Sequence, residues 1–402
     1  MTNSQKLAKL YLKNNEERRL LAGHLWIYSN EIDVAKSPLK SFQNGELVEI
    51  ISAREAELGI GYINPHNLLA VRLLSRNPNT SINSDFFLQR LQDALLLRER
   101  CFEQPFYRLV FGEGDYLPGV VIDRFGDVLV VQITTCGMEN LKSFLLDALI
   151  TLIKPKTILL RNDTNSRLLE GLPKVIETVY GEAVDVAKLS ENGVLFCAPI
   201  IEGQKTGWFY DQRQNRILIN KYLKKKKVLD AYSYIGSFGV QAACAGAKSV
   251  TCLDSSALAL QYAQQNALLN EVAKRMQFME KDVPQALKQF IQDKELFDVA
   301  IIDPPAFIKR SKDILAGSQA YQRLLELVLQ ILPKHGILVI TSCSMHMSQD
   351  MLLNVLRKAS LRVGRQLSIL EQLHQAADHP IHPAIAETNY LKGFIVAVKN
   401  ID

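Results

Sequence analysis

The chain is predicted to be an α/β protein with a smaller β-rich domain in front of it. Three observations carry the expectation. From Val228 onward, short apolar runs alternate with helical ones at crossover spacing. The first 80 residues break instead into short, partly alternating segments separated by Gly, Asn and Pro. And 402 residues are too many for one ordinary core, so two or three domains are expected.

In chain order, "GELVEIISA", "ELGIGYI" and "LLAVRLLS" read as strands of a small β-rich domain, residues 1–80. A helical stretch, "SDFFLQRLQDALLLRERCFE" at 84–103, opens a central section over 81–185. There "YRLVFGEGDYLPGVVIDRFGDVLVVQITT" looks like β-hairpins and "MENLKSFLLDALITLIK" like a helix, giving a small α+β domain. Residues 186–402 form the third domain. In it "KVLDAY", "SVTCLD", "MQFMEKD", "FDVAIIDPP" and "GILVITSC" are strands, with helices at "SFGVQAACAGA", "SSALALQYAQQNALLNE", "VPQALKQFIQDKE" and "YQRLLELVLQILPKHG". This alternation specifies crossover units and a parallel sheet covered on both faces, with "GFIVAV" at 393–398 as an added edge or antiparallel strand. An open sheet of this kind takes its ligand at the carboxyl ends of its strands.

Composition narrows the function. With 48% hydrophobic and 22% charged residues the chain has a soluble globular balance. No apolar run reaches membrane-spanning length, and the N-terminus lacks the apolar middle of a secretory signal, so a cytoplasmic location is expected. Cysteines 101, 136, 197, 244, 252 and 343 show no CxxC and no regular spacing, which argues for reduced thiols and against a zinc site. His374, His379 and His382 lack helical ligand spacing, so no metal is expected. The net charge of +5 is compatible with an anionic partner without requiring one.

The chemistry-bearing residues gather at strand ends. In "VLDAYSYIGSFGV" a strand ends near Asp230, and Gly236 and Gly239 sit in the turn before a helix, where backbone can approach a ligand closely. The bland reading is an ordinary strand-to-helix turn. The turn is not a G-x-G-x-x-G fingerprint, and no G-x-x-x-x-G-K-[ST] occurs, which disfavours pyrophosphate and triphosphate ligands. Asp254 closes the second strand and suits the two hydroxyls of a ribose, or else caps the next helix. Asp282 follows the third and could accept from an adenine amino group, with capping again the alternative. A nucleoside-type cofactor without pyrophosphate, S-adenosylmethionine, fits this profile. Asp303 precedes Pro304 and Pro305, which fix an extended exit or simply stop the strand. The fifth strand reads as stopping at Thr341 and exposing Ser342, Cys343 and Ser344. A lone cysteine there is more often a small core residue, but it shares the sheet edge with Asp230, Asp254 and Asp303.

Taken together, "TGWFYDQR", "VLDAYSYIGSFGV", "CLDSS", "DPPAF", "SCS" and "AADHP…YLKGF", in this order, resemble the bacterial PUA-domain-containing 23S rRNA (cytosine-5) methyltransferases. The resemblance covers the whole chain, with "GHLWIYSNEI" like the opening of the PUA domain. It implies a C-terminal Rossmann-like class I methyltransferase domain, an N-terminal β-rich PUA domain and a small α+β central domain. It implies further that Thr206, Gly207, Phe209, Asp211 and Arg213, with Asp230, Tyr232, Gly236, Asp254, Asp282 and Asp303, bind S-adenosylmethionine. Cys343 becomes the nucleophile and Asp303 its catalytic companion. Ser237 stands where relatives often carry Gly.

The implied partner is large-subunit rRNA or its precursor, with room for a homodimer and none for a membrane. The first 80 residues hold ten Lys or Arg against eight Asp or Glu, so RNA binding is implied by the resemblance, not by composition. Lys6, Lys9, Lys13, Arg18 and Arg19 are the candidates for phosphate contacts, the alternative being a solvated helix face. A second group of cytosine-5 enzymes carries a further cysteine directly after the paired prolines, used for product release. Here that position is Ala306, which leaves the base for elimination unassigned. Competing readings are the same fold methylating another base such as guanine nitrogen 7, a nicotinamide oxidoreductase, and a non-catalytic RNA-binding ribosome-assembly factor.

Overall fold

A computed structural model describes residues 7–400, so Lys6 lies outside the described residues. The chain falls into two compact units. The first runs through Ala187 and adds Ile200–Trp208 and Ala377–Thr388; the second comprises Lys188–Pro199, Phe209–Ala376 and the chain from Asn389.

The first unit holds two five-stranded sheets. In the N-terminal one, Ala8–Tyr11 pairs in parallel with Glu46–Ile51, which continues antiparallel through Glu57–Ile63 and Leu69–Ser75 to Trp26–Tyr28. Leu10, Val48, Ile50, Ile63 and Val71 form its core. Gly59 and Gly61 are dictated by this pairing: a Cβ would meet the Ser75 carbonyl oxygen at 2.1 Å and that of Arg72 at 2.6 Å.

The second sheet runs Val175–Gly181, Thr157–Asn162, Val128–Ile133, Val120–Phe125, Phe106–Phe111. Helices Ser84–Cys101 and Lys142–Ile153 contribute to its core through Phe87, Leu91, Leu145 and Leu149. Asn83 caps the first of them by accepting the Phe86 N–H. Two ion pairs are buried here. Arg98 grips Asp115 through two bonds of 2.6 Å, and Arg108 grips Asp123 through two of 2.8 Å. The segment Ala377–Thr388 is tied to this unit by the Asp378 carboxylate, which accepts the Arg108 N–H, and by His379 Nε2 against the Arg108 guanidinium.

The second unit is built on a seven-stranded sheet. Its strands are β1 (Lys227–Ala231), β2 (Ser249–Asp254), β3 (Met276–Glu280), β4 (Val299–Ile302), β5 (Ile337–Ser342), β6 (Arg365–His374) and β7 (Lys392–Asn400). They lie in the order β3-β2-β1-β4-β5-β7-β6, the first five parallel and the last two antiparallel. β1, β2, β4 and β5 are almost wholly buried, which explains why they read as continuous apolar runs. The crossover helices are α1 (Ser237–Cys244), α2 (Ala257–Leu269), α3 (Val283–Gln292), α4 (Ile314–Gln330) and α5 (Gln349–Arg362). In α3 the buried Val283, Ala286, Leu287 and Phe290 recur at helical spacing.

Two sequence expectations change. The strand at 393–398 is antiparallel but interior, because β6 covers its far side. β6 itself was missed: its polar sequence, "RQLSILEQLH", and a register shift between Ile369 and Glu371 hide its periodicity.

Candidate active site

The carboxyl edge of the second unit's sheet gathers the acids. Asp230 sits inside β1 with 1% of its surface exposed, its carboxylate accepting the Gly239 N–H at 2.7 Å. Burial pushes its pKa up to about 8, opposed by that N–H and by Arg216, and reinforced by the charges of Asp303 and Asp254. A Cβ on Gly239 would lie 2.9 Å from the Asp230 carboxylate and 2.5 Å from the Cys252 sulfur, so the first turn of α1 can rest on the sheet only as glycine.

Between β1 and α1 the backbone turns left-handed at Tyr232, Tyr234 and Gly236. Asp254 holds this loop: one carboxylate oxygen accepts the Tyr234 N–H at 2.8 Å, the other the Ser256 N–H at 2.9 Å. Asp254 is therefore not the helix cap; Ser256 is, accepting the Ala259 N–H. Asp282 does cap α3, two residues beyond the end of β3, and its side chain is exposed. The Tyr232 hydroxyl is raised by burial and by the nearby charges of Asp282 and Asp254, which places all three residues around one loop. Ser237 opens α1 without capping it, that position being Gly236.

The stretch from Gly203 to Arg213 divides. Thr206 and Gly207 belong to the first unit, where the Thr206 hydroxyl donates to Asp123 and is fully buried. Phe209, Asp211 and Arg213 belong to the second. Phe209 meets Tyr234 edge to face at 5.6 Å. Asp211 accepts the Tyr390 hydroxyl. Arg213 bonds the buried Glu191 carboxylate and lies over the Tyr210 ring. Glu191 was not foreseen; it also binds Arg216 and Gln241, and nothing in its hairpin sequence signals this role.

The ends of β4 and β5 carry Asp303 and Cys343. The Asp303 carboxylate accepts the Gln212 amide at 3.0 Å and the Thr341 hydroxyl. Asn215 in turn fixes the Gln212 amide through a 2.6 Å bond. Sequence reasoning missed Gln212, Asn215 and Thr341, since amides and hydroxyls carry no spacing signal. The expectation of an exposed Ser342-Cys343-Ser344 is corrected: both serines are fully buried and only Cys343 is partly exposed. Their hydroxyls bond the Tyr321 hydroxyl of α4 at 2.8 and 3.2 Å, and Ser344 also accepts the Ile308 N–H. Chain direction then leaves Cys343 as the member of the triplet turned outward. The Tyr321 hydroxyl is raised by burial, lowered by its hydrogen bonds to both serines, and raised again by the charges of Cys343 and Asp303.

The basic candidates of the N-terminal sheet do not share a helix face. Lys9 lies on the first strand and Lys13 in the following loop, where its ammonium donates to the Asn30 carbonyl; both are exposed. Arg18 and Arg19 begin a one-turn helix. Arg18 bonds Asn15, whereas Arg19 is held by Glu31 and by the Trp26 carbonyl. His379 and His382 are buried, and no group of three His, Cys, Asp or Glu that could hold a metal occurs among the described residues.

This donor set suits a cationic nucleoside. Asp230 and Asp254 are buried and form no ion pair among the described residues, and the charge of Asp254 adds to the cost of ionising Asp230, which a sulfonium or ammonium group would relieve. Such a sheet order, with carboxylates at β1 and β2 and a thiol at β5, defines an S-adenosylmethionine-dependent methyltransferase. Comparison with known proteins agrees. Residues 10–76 match the PUA-like domain family and residues 172–394 the S-adenosylmethionine-dependent methyltransferase family. The chain is 35% identical to ribosomal RNA large subunit methyltransferase I of Shewanella denitrificans, covering 97% of this chain and 99% of that one. To the protein of the same name from Tolumonas auensis it is 36% identical over 96% and 98%. The crystal structure of SMU.776, a methyltransferase complexed with SAH, superposes with a TM-score of 0.83 at 23% identity, over 97% of this chain and all of that one, and shares its fold. The chain belongs to the family of PUA-domain-containing methyltransferases called ribosomal RNA large subunit methyltransferase I.

Proposed function

We propose that the protein methylates carbon 5 of a cytosine in large-subunit rRNA, with Cys343 as the nucleophile. The observation that carries this is the placement of Cys343: a partly exposed thiol between two buried, hydrogen-bonded serines, beside Asp303 at the carboxyl edge of the sheet. Carbon 5 of cytosine is a weak nucleophile. Thiolate addition at carbon 6 turns the ring into an enamine that can accept a methyl group, after which the carbon 5 proton leaves and the thiolate is eliminated. S-adenosylmethionine, when bound, supplies that methyl group. Asp303, fixed by Gln212 and Thr341, hydrogen-bonds ring nitrogen 3 or the exocyclic amine as charge builds on the ring. Asp230, Asp254 and Asp282, with Tyr232, Gly236, Phe209, Asp211 and Arg213, form the donor site. The target base must be unpaired or flipped, which costs a few kcal/mol and favours a distorted or single-stranded site.

Residues 1–80 are read as the RNA-holding PUA domain, 81–185 as the central domain and 186–402 as the methyltransferase domain. Lys9, Lys13 and Arg18 are the phosphate contacts most open to RNA; their exposure supports the assignment. The substrate places the work in the cytoplasm, and no described helix is long and apolar enough to cross a membrane.

The test incubates the protein with labelled S-adenosylmethionine and unmodified large-subunit rRNA, then identifies the labelled nucleoside. Label in 5-methylcytidine, lost in Cys343→Ala, is expected. Label in another nucleoside, or full activity in Cys343→Ala, would return the thiol to a structural role.

A further inference from the structure

The far side of Cys343 is occupied by a lysine. Lys392 opens β7 and pairs directly with Ser342 on β5 and His374 on β6, so it stands one position from the nucleophile across the sheet. It is only partly exposed, and its ammonium donates to the Ser344 carbonyl at 2.8 Å. Burying an ammonium at a strand end is costly, and any neutral donor would satisfy a carbonyl more cheaply. What a lysine adds is charge.

We propose that Lys392 is a positioning residue for Cys343: its amine takes the thiol proton and, as ammonium, holds the sulfur as thiolate ready for addition to the pyrimidine. The step is a transfer of one proton from sulfur to nitrogen; the S–H bond breaks, an N–H bond forms, and no other reactant is consumed. Elimination returns the same thiolate to the same ammonium.

The electrostatics agree with this geometry. Burial lowers the Lys392 ammonium to about 8, into the range where it exchanges a proton near neutrality, and the charge of Cys343 pulls the other way. The other groups around the pair are His374, whose Nδ1 is engaged by the Gln375 carbonyl, the Tyr321 phenol held by Ser342 and Ser344, and the Asp303 carboxylate held by Gln212 and Thr341. Lys392 is thus the cation assigned to the thiolate. The role rests on the reading of Cys343 as nucleophile.

The experiment follows alkylation of the full-length protein by iodoacetamide from pH 5 to 10, scoring the Cys343 peptide by mass spectrometry. The exposed Cys101 and Cys244 in the same digest are internal references. In the wild type the Cys343 midpoint should lie below theirs. In Lys392→Met it should rise by about one unit, slowing alkylation at pH 7 roughly tenfold, while the references stay put. Lys392→Arg, which keeps the charge, should retain the low midpoint. An unchanged midpoint in Lys392→Met overturns the proposal. If that variant exposes the buried Cys252, Lys392→Arg decides, and a midpoint there equal to that of Cys101 overturns it. Because alkylation needs neither RNA nor methyl donor, a Lys392-dependent midpoint accompanied by label outside 5-methylcytidine would sink the functional reading alone.

Discussion

Two buried carboxylates of the first unit and two of the second are treated in opposite ways. In the first, Asp115 and Asp123 each face an arginine through two hydrogen bonds, so both of these buried negative charges have a cation within the fold. In the second, the buried Asp230 accepts the Gly239 N–H and the Cys252 thiol, and Asp254 accepts two backbone N–H groups, with no ion pair to either among the described residues. A paired acid supports structure. An acid left without a cation stores unfavourable energy that a cationic ligand can relieve.

The largest effect should come from breaking a pair in the first unit. Arg98→Ala leaves the Asp115 carboxylate buried and unpaired, and urea unfolding should show a loss of about 3–5 kcal/mol. At the acid edge of the second unit the same class of change should act on binding instead. Asp230→Asn removes a group whose ionisation is costly in the fold, so stability at pH 7.5 should hold or rise. Calorimetric affinity for S-adenosylmethionine should fall about 10- to 100-fold, the value of one charged hydrogen bond. Comparable stability losses in both variants would erase the contrast.

The pH dependence sharpens it further. Asp230 is raised from its ordinary carboxylate value to about 8, so the folded state holds a proton that the unfolded state has released. Stability from this group is complete below pH 4 and is lost as pH rises through 8, and Asp230→Asn should cancel that part of the slope. Melting curves of both proteins across pH 5–9 would converge at the acid end and separate at the alkaline end; parallel curves would refute the assignment.

The smallest effect is expected at the phenol behind Cys343. Tyr321→Phe deletes the hydroxyl shared by Ser342 and Ser344 and should slow methyl transfer about fivefold with donor affinity unchanged, corresponding to about 1 kcal/mol of lost positioning. Loss of donor affinity instead would move Tyr321 into the donor site.

Much of the second unit was legible in the sequence because parallel strands buried on both faces must be apolar throughout, and crossover helices must repeat with helical period. β6 escaped because a half-exposed, bulged edge strand keeps neither pattern. The alternative reading of the N-terminal basic residues, a solvated helix face, does not hold, because strand, loop and one-turn helix distribute them separately. Among the site residues, Asp230, Asp254, Asp303 and Cys343 announced themselves by closing strands. Gln212, Thr341, Tyr321 and Lys392 did not, since each acts through a partner far away in the chain.

The sequence by itself therefore determined the kind of sheet, which strand ends carry acids or a thiol, and the family. Those depend on local periodicity and on residue type at an element's end. Only the tertiary structure decided which acids are paired, that both serines flanking Cys343 are buried, that Thr206 is spent on Asp123, and that a lysine from the last strand bonds the Ser344 carbonyl beside Cys343. These are set by strand order and register, and a strand paired antiparallel at the end of the chain can bring its side chains beside any earlier one.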